Sequence, residues 1–307
     1  MAPIESSTWG IPAHITGIFR VVEHTDLLQM GSLGAGFSIN RLITTRIIVK
    51  KAPRTKATVF FNNERIQGCV SLAVMKQFQS YLEHFSIRVE HNSELPMQAG
   101  FGTSGAGALG MAFALNELFQ LEKSPEELGQ AAHRAEVQCR TGLGDVLAQM
   151  VGKGELRVKA GAPGIGKIVF LDWPKDQLVL SIALGPLSTK KIITNPLMIQ
   201  RINQYSVEAL ERLKAAPNLQ EFLKASYYFA EKTALMSKEV RELLDTVTKE
   251  GFKGSMIMLG QSVFVVGLKE ELKRCQEIIQ KKFPQAKTWL DSLAQEGPRI
   301  VENHVKG

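Results

Sequence analysis

Val, Ile, Thr and Phe crowd three early segments, "RLITTRIIVKK" (41–51), "KATVFFNN" (56–63) and "HFSIRVEHNS" (84–93). Such residues suit a pleated, half-buried surface, so all three predict strands, with "APRT" a turn between the first two. A helical piece is expected over 69–83. The pattern then changes. Glycine-rich "PMQAGFGTSGAG" (96–107) leads into an apolar run that predicts a helix over 103–119. "SPEELGQAAHRAEVQC" (124–139) carries its own start signals: Ser124 as N-cap, Pro125 at the first helical position and Glu127 three residues after the cap. That capping box predicts a helix to 139, broken by "RTGLGD" and resumed briefly to 148. "GELRVKAGAPGIGKIVFLDWP" (154–174) reads as a hairpin or the edge of a sheet.

From 177 a second block begins, with a strand over 177–186 and helices over 195–216, 219–237 and 238–250. A strand pair follows around 255–268, then a helix over 269–283 and "AKTWLDSL", together resembling a small α/β sandwich. A domain boundary is expected near Pro174, dividing 1–174 from 175–307.

Composition narrows the class. The 307 residues are 44% hydrophobic and 22% charged, which fits a globular protein and argues against disorder. A net charge of +7 suits a basic surface or small anionic substrates such as ATP and carboxylates. Nucleic acid is not expected, because no Lys/Arg run is interleaved with stacking aromatics. Cys69, Cys139 and Cys275 are odd in number, scattered and without a C-x-x-C pair. They predict neither a disulfide framework nor a zinc site, and a reducing cytoplasm is the expected setting. No run of about 18 apolar residues predicts a membrane span, and the first residues lack the pattern of a secretion signal.

Three glycine patterns invite a phosphate. Gly100-x-Gly102-x-x-Gly105 matches the dinucleotide fingerprint, but a helix follows its helix where a second strand is needed. "GAPGIGK" (161–167) has the glycines and lysine of a Walker A loop. Ile168 stands where that loop needs a hydroxyl, and a strand pattern follows, so a turn is expected there. The segment 96–106 remains. Its glycines let a ligand approach the backbone, and Thr103 and Ser104 fall where free N–H groups and the positive end of a helix dipole emerge. Spacing alone leaves two readings open, an anion cradle or a small-residue helix packed against a sheet.

The order of residues resembles a known family. "PMQAGFGTSGAG" is similar to the P-x-x-x-G-x-G-S-S-A motif of the GHMP kinases, with Pro96, Gly100, Gly102 and Ser104 matching. Thr103 replaces a Ser and Gly105 an Ala. "IPAHITGIF" (11–19) resembles the family's opening substrate-contacting loop, and "AEVQCRTGLGDVLAQMVGKG" its glutamate-then-G-x-G-x-D segment. The third family motif, a glycine-rich stretch, is absent, and "GSMIMLGQSVFVV" stands in its place. With "GSLGAGFSI" (31–39), the chain is most similar to the pantoate branch. The resemblance implies an α+β two-domain GHMP kinase fold: a ribosomal protein S5 domain 2-like N-terminal domain and a ferredoxin-like α/β sandwich after it.

It also implies ATP-dependent phosphorylation of pantoate in coenzyme A synthesis. Other acceptors (homoserine, a mevalonate intermediate, a sugar) stay open, as do a non-catalytic sensor and an RNA-binding protein of the same fold. The implied roles are these. Pro96, Gly100, Gly102, Thr103, Ser104 and Gly105 cradle ATP. Asp145 is the base, and Ser104 with Glu136 holds Mg²⁺, a hard cation suited to oxygen donors. Arg157, His133, Ser32 and His14 bind the acceptor carboxylate or its hydroxyls. The long helices of the second block offer a face for a homodimer. Met30, Met256 and Met258 are expected in the core.

Overall fold

The computed structural model describes residues 3–186 and 195–303. The strands, in chain order, are β1 (Ile4–Glu5), β2 (Thr8–Val22), β3 (Gly31–Lys51), β4 (Lys56–Phe61), β5 (Glu64–Ile66), β6 (Phe85–Asn92), β7 (Gly154–Lys159), β8 (Lys167–Phe170), β9 (Leu178–Gly185), β10 (Lys253–Ile257), β11 (Gln261–Gly267), β12 (Lys287–Asp291) and β13 (Arg299–Glu302). The helices are α1 (Cys69–Gln77), α2 (Thr103–Phe119), α3 (Pro125–Cys139) and α4 (Asp145–Gln149), then α5 (Pro196–Ala215), α6 (Leu219–Thr233), α7 (Lys238–Lys249) and α8 (Lys269–Lys282).

The first sheet runs β13-β2-β3-β6-β4-β5, with β1 and β7 also on β3 and β8 on β7. β3 organises it, because its 21 residues are long enough to take different partners along their length. Gly34–Phe37 pair with β7, and Thr44–Lys51 pair with β6. Helix α2 is buried nearly all round, as its apolar sequence requires. It can lie close to the sheet because Gly110 has no side chain; a Cβ there would strike Thr45 of β3. The second sheet is antiparallel, β10-β11-β9-β12.

Aromatic rings knit the two sheets together. Phe37 of β3 has its ring centroid 5.0 Å from Trp173, 5.8 Å from Phe222 of α6 and 5.2 Å from Phe264 of β11. Each of these aromatic contacts contributes roughly 1 kcal/mol beyond its burial. The architecture is the two-sheet α+β arrangement implied by the sequence resemblance. A division at Pro174 stays our proposal, and β13 crosses back over it to pair with β2.

Several expectations hold in detail. Ser124 Oγ accepts from Glu127 N at 3.2 Å and Glu127 Oε2 accepts from Ser124 N at 2.9 Å, closing the capping box. Residues 154–170 form the β7–β8 hairpin, with "GAPGIG" as its turn. Others need correcting. The helical piece expected to 83 stops at Gln77, and a 3₁₀ turn, Gln79–Tyr81, replaces its end. The segment 11–19 is no loop but the interior of β2, bent at bulges near Pro12 and Thr16. Cys69 and Cys139, expected to be unpaired, are joined in a disulfide between the start of α1 and the end of α3. The odd count misleads because Cys275 alone is left over, buried as a small apolar side chain.

Candidate active site

The loop before α2 ends at two glycines with left-handed backbone, Gly100 at φ +88° and Gly102 at φ +62°. Gly102 is the N-cap of α2 and offers no side chain to the first-turn N–H groups. They open instead toward a cavity of about 490 Å³ lined by Gly100–Ser104, Gly142–Asp145, Ser32 and Arg157. Gln149 of α4 fixes the loop from below, donating to the carbonyls of Pro12 and Gly102, each at 3.0 Å. The hairpin turn at 258–260 closes it from above: Gly260 lies so near Ala99 that a Cβ would strike the carbonyl. The segment that replaces the missing third motif thus packs backbone to backbone on the glycine loop. Met256 is core, as expected, whereas Met258 is buried yet lines the cavity. Met30 is only half-buried.

Two carboxylates, Glu136 and Asp145, approach the α2 N-terminus, and a third, Glu155, lies behind them; each is in a different environment. Glu136 of α3 is buried, accepting from Ser104 Oγ at 3.0 Å and from Thr141 Oγ1 at 2.7 Å. Burial lifts its carboxyl to about 8, the nearby Asp145 charge adds to that, and the two hydroxyls oppose it. Asp145 opens α4 after Gly144 and keeps partial exposure. Burial would raise its carboxyl, but the hydrogen bond and charge of His14, with the charge of Arg157, hold it below the usual range. Gly142 makes room for both groups; a Cβ there would run into Glu136 and lie 3.2 Å from Asp145 Oδ2.

The third carboxylate, Glu155, is fully buried on β7. His14 stands between it and Asp145, with Nδ1 2.9 Å from Asp145 Oδ1 and Nε2 3.0 Å from Glu155 Oε1. Burial alone would lower the imidazole. The Glu155 charge and the hydrogen bonds to both carboxylates overcome this and raise it to about 9. Arg157, two residues on, is paired with Glu155 and almost wholly buried, while its Nε has no protein partner. Ser32 Oγ lies beside it across Gly144, where a Cβ would meet both side chains.

The structure therefore brings Gly100, Gly102, Thr103, Ser104, Asp145, Arg157 and Ser32 to one cavity; Glu136 and His14 lie buried behind its lining, so His14, expected to bind the acceptor, is held by two carboxylates instead. Pro96 stands at the start of the loop, outside the cavity lining, and Gly105 packs beneath against Gln149. His133 does not line the cavity. Its Nε2 lies 2.8 Å from the Met30 carbonyl, and burial holds it below its usual range. It steadies the segment that leads into Ser32. Glu155, Thr141 and Gln149 escaped the sequence reading, although Glu155 and Arg157, two apart on one strand, necessarily share a face.

Among the described residues no three His, Cys, Asp or Glu side chains converge to hold a metal. Ser104 and Glu136 supply two oxygen donors, one of them a buried carboxyl with no cation beside it. That set suits a hard ion that takes its remaining ligands from phosphate and water.

Residues 66–153 match the family model described as GHMP kinases N terminal domain. A pantoate kinase of Methanocaldococcus jannaschii is 32% identical over 270 residues, covering 88% of this chain and 96% of its own. One of Thermococcus kodakarensis is 34% identical over 276 residues, 88% of this chain and 90% of that one. Among solved structures, a phosphotransferase related to the coenzyme A biosynthesis pathway superposes with a TM-score of 0.85 at 30% identity, covering 96% and 98% of the two chains. A homoserine kinase from Cytophaga hutchinsonii shares the fold, with a TM-score of 0.71 at 14% identity over 96% and 97%. The chain belongs to the GHMP kinases, ATP-dependent small-molecule kinases, and within them to the pantoate kinase family.

Proposed function

We propose that this chain transfers the γ-phosphoryl group of ATP to the primary hydroxyl of pantoate, giving 4-phosphopantoate for coenzyme A synthesis. The carrying observation is Arg157: a buried guanidinium with an unpartnered Nε, next to Ser32, in the cavity that Asp145 and the α2 N-terminus share. A hydroxy acid fits that arrangement, its carboxylate on Arg157 and Ser32 and its hydroxyl toward Asp145.

Phosphoryl transfer depends on positioning and charge stabilisation more than on covalent chemistry. The N–H groups of 103–105 and the α2 dipole face the phosphates, at the end where a helix attracts anions. Ser104 and Glu136 would hold Mg²⁺, which when bound neutralises phosphate charge. Asp145, kept ionised by His14, accepts the hydroxyl proton as the oxygen attacks. Arg157 gives the acceptor a bidentate anchor, which a lysine would not. The same proposal places the enzyme in the cytoplasm, where ATP is supplied; the Cys69–Cys139 bridge removes the cysteine argument for that setting. It also includes a homodimer through the second-block helices, where α5 exposes Leu197 and Val207. ADP release from Mg²⁺·ATP with pantoate as acceptor tests the reading; sedimentation tests the dimer.

A further inference from the structure

Asp145, His14, Glu155 and Arg157 form one line of alternating charge through the floor of the site. His14 bridges the two carboxylates at 2.9 and 3.0 Å, and Glu155 Oε1 accepts again from Arg157 Nη1. His14 and Glu155 are sealed from solvent, while Asp145 and Arg157, the two ends of the line, both reach the cavity.

We propose that Glu155 is a positioning residue for the transfer: it keeps His14 doubly protonated, and through His14 it orients Asp145 and keeps it ionised. This rests on the reading of Asp145 as the base. A neutral imidazole carries one N–H, so with a carboxylate oxygen at each ring nitrogen one contact would set lone pair against lone pair. Only the imidazolium satisfies both.

His91 is the internal control. It is as deeply buried, but its ring lies between the hydroxyls of Thr45 and Ser71, which can donate as well as accept. Burial drives it down to about 4. Two buried histidines in one domain thus shift in opposite directions, and the carboxylates beside His14 make the difference.

The backbone is cut to fit this line. Glu155 and Arg157 point the same way from β7, directly opposite Gly36 and Gly34 of β3. A Cβ on Gly36 would come within 2.7 Å of His14 Nε2, and one on Gly34 would strike the Arg157 guanidinium. The groups facing His14 are Asp145 from α4, Glu155 from β7 with Arg157 behind it, and Thr16 Oγ1 from its own strand at 3.5 Å. β3 presents no charged group: Ser38 pairs directly with His14, and Gly36 lies nearest its Nε2. A plain structural ion pair between Glu155 and Arg157 would not need the histidine; the two glycines also clear the Ile15 and Ile18 carbonyls of β2.

The test is an NMR titration of the His14 ring nitrogens in the wild-type protein and in Glu155→Gln, with pH profiles of kcat beside it. His14 should keep both protons past pH 8 in the wild type and lose one at or below neutral pH in Glu155→Gln. The alkaline limb of kcat should move down by at least about one pH unit, with the ATP KM within about twofold; Glu155→Asp should restore both. A folded Glu155→Gln with an unchanged His14 titration overturns the proposal. Should that variant fail to fold, a wild-type His14 that loses a proton below pH 7 does so alone. The titration needs no substrate, so its result holds whichever acceptor the enzyme takes.

Discussion

The hydroxyl of Ser104 donates to Glu136 across 3.0 Å, so the first turn of α2 and the last turn of α3 meet at one buried carboxyl. Without a cation this carboxyl holds its proton to about 8, above the ordinary 4.5. The folded state therefore binds that proton more tightly than the unfolded chain. The resulting stability is complete below 4.5 and is lost as pH rises through 8. In metal-free protein, Glu136→Gln should match the wild type in Tm near pH 4.5 and exceed it at pH 8. It should also require more Mg²⁺ for activity. Parallel Tm-versus-pH curves, or unchanged metal dependence, would count against the assignment.

Asp145→Asn keeps the shape of the side chain and removes its ability to take a proton. Turnover should fall roughly 10²–10⁴-fold, with ATP affinity little changed. Near-normal kcat in the folded variant would exclude the base.

Arg157→Ala should raise the acceptor KM far more than that of ATP. It also leaves Glu155 with His14 as its one charged neighbour, so unfolding should become easier by about 3 kcal/mol, the low end for breaking a buried pair. Calorimetry and steady-state kinetics on the same preparation separate the two effects. A larger change in the ATP KM than in the acceptor KM would contradict the role.

The Cys69–Cys139 bridge closes a separation of 70 residues, and both cysteines line the cavity. Its reduction should cost about 2–4 kcal/mol of stability. Dithiothreitol should lower the Tm of the wild type and leave that of Cys69→Ser unmoved. Equal responses would argue that the bridge does not constrain the fold.

Local signals in the sequence carry much of this. Ser124, Pro125 and Glu127 announce α3 by themselves, because a capping box is a contact within four residues. The order Pro96, Gly100, Gly102, Ser104, then Glu136 and Asp145, indicates phosphoryl transfer only through its resemblance to the GHMP kinase motifs. What stays hidden depends on register. Nothing near Glu155 says that β7 pairs with Gly34 and Gly36, so its partnership with His14 emerges only when the sheet forms. His133 looks like a ligand because it shares a helix with Glu136, yet it faces the Met30 carbonyl. The segment around His14 is expected as a loop only because it resembles the family's opening motif; here its Pro12 and Gly17 sit at the bulges of a long strand. Cysteine spacing is silent about a bridge made across two helix ends.

The central claim, a kinase whose buried arginine selects a hydroxy acid, is tested most directly by ADP release from Mg²⁺·ATP with pantoate, homoserine, mevalonate and galactose as separate acceptors. Pantoate should lead in kcat/KM over galactose, which lacks the carboxylate, by about 10⁴-fold, and over homoserine and mevalonate, which carry one, by the roughly 10-fold or more that pocket shape supplies. A comparable or higher value for homoserine, mevalonate or galactose, or no transfer to pantoate, would contradict it.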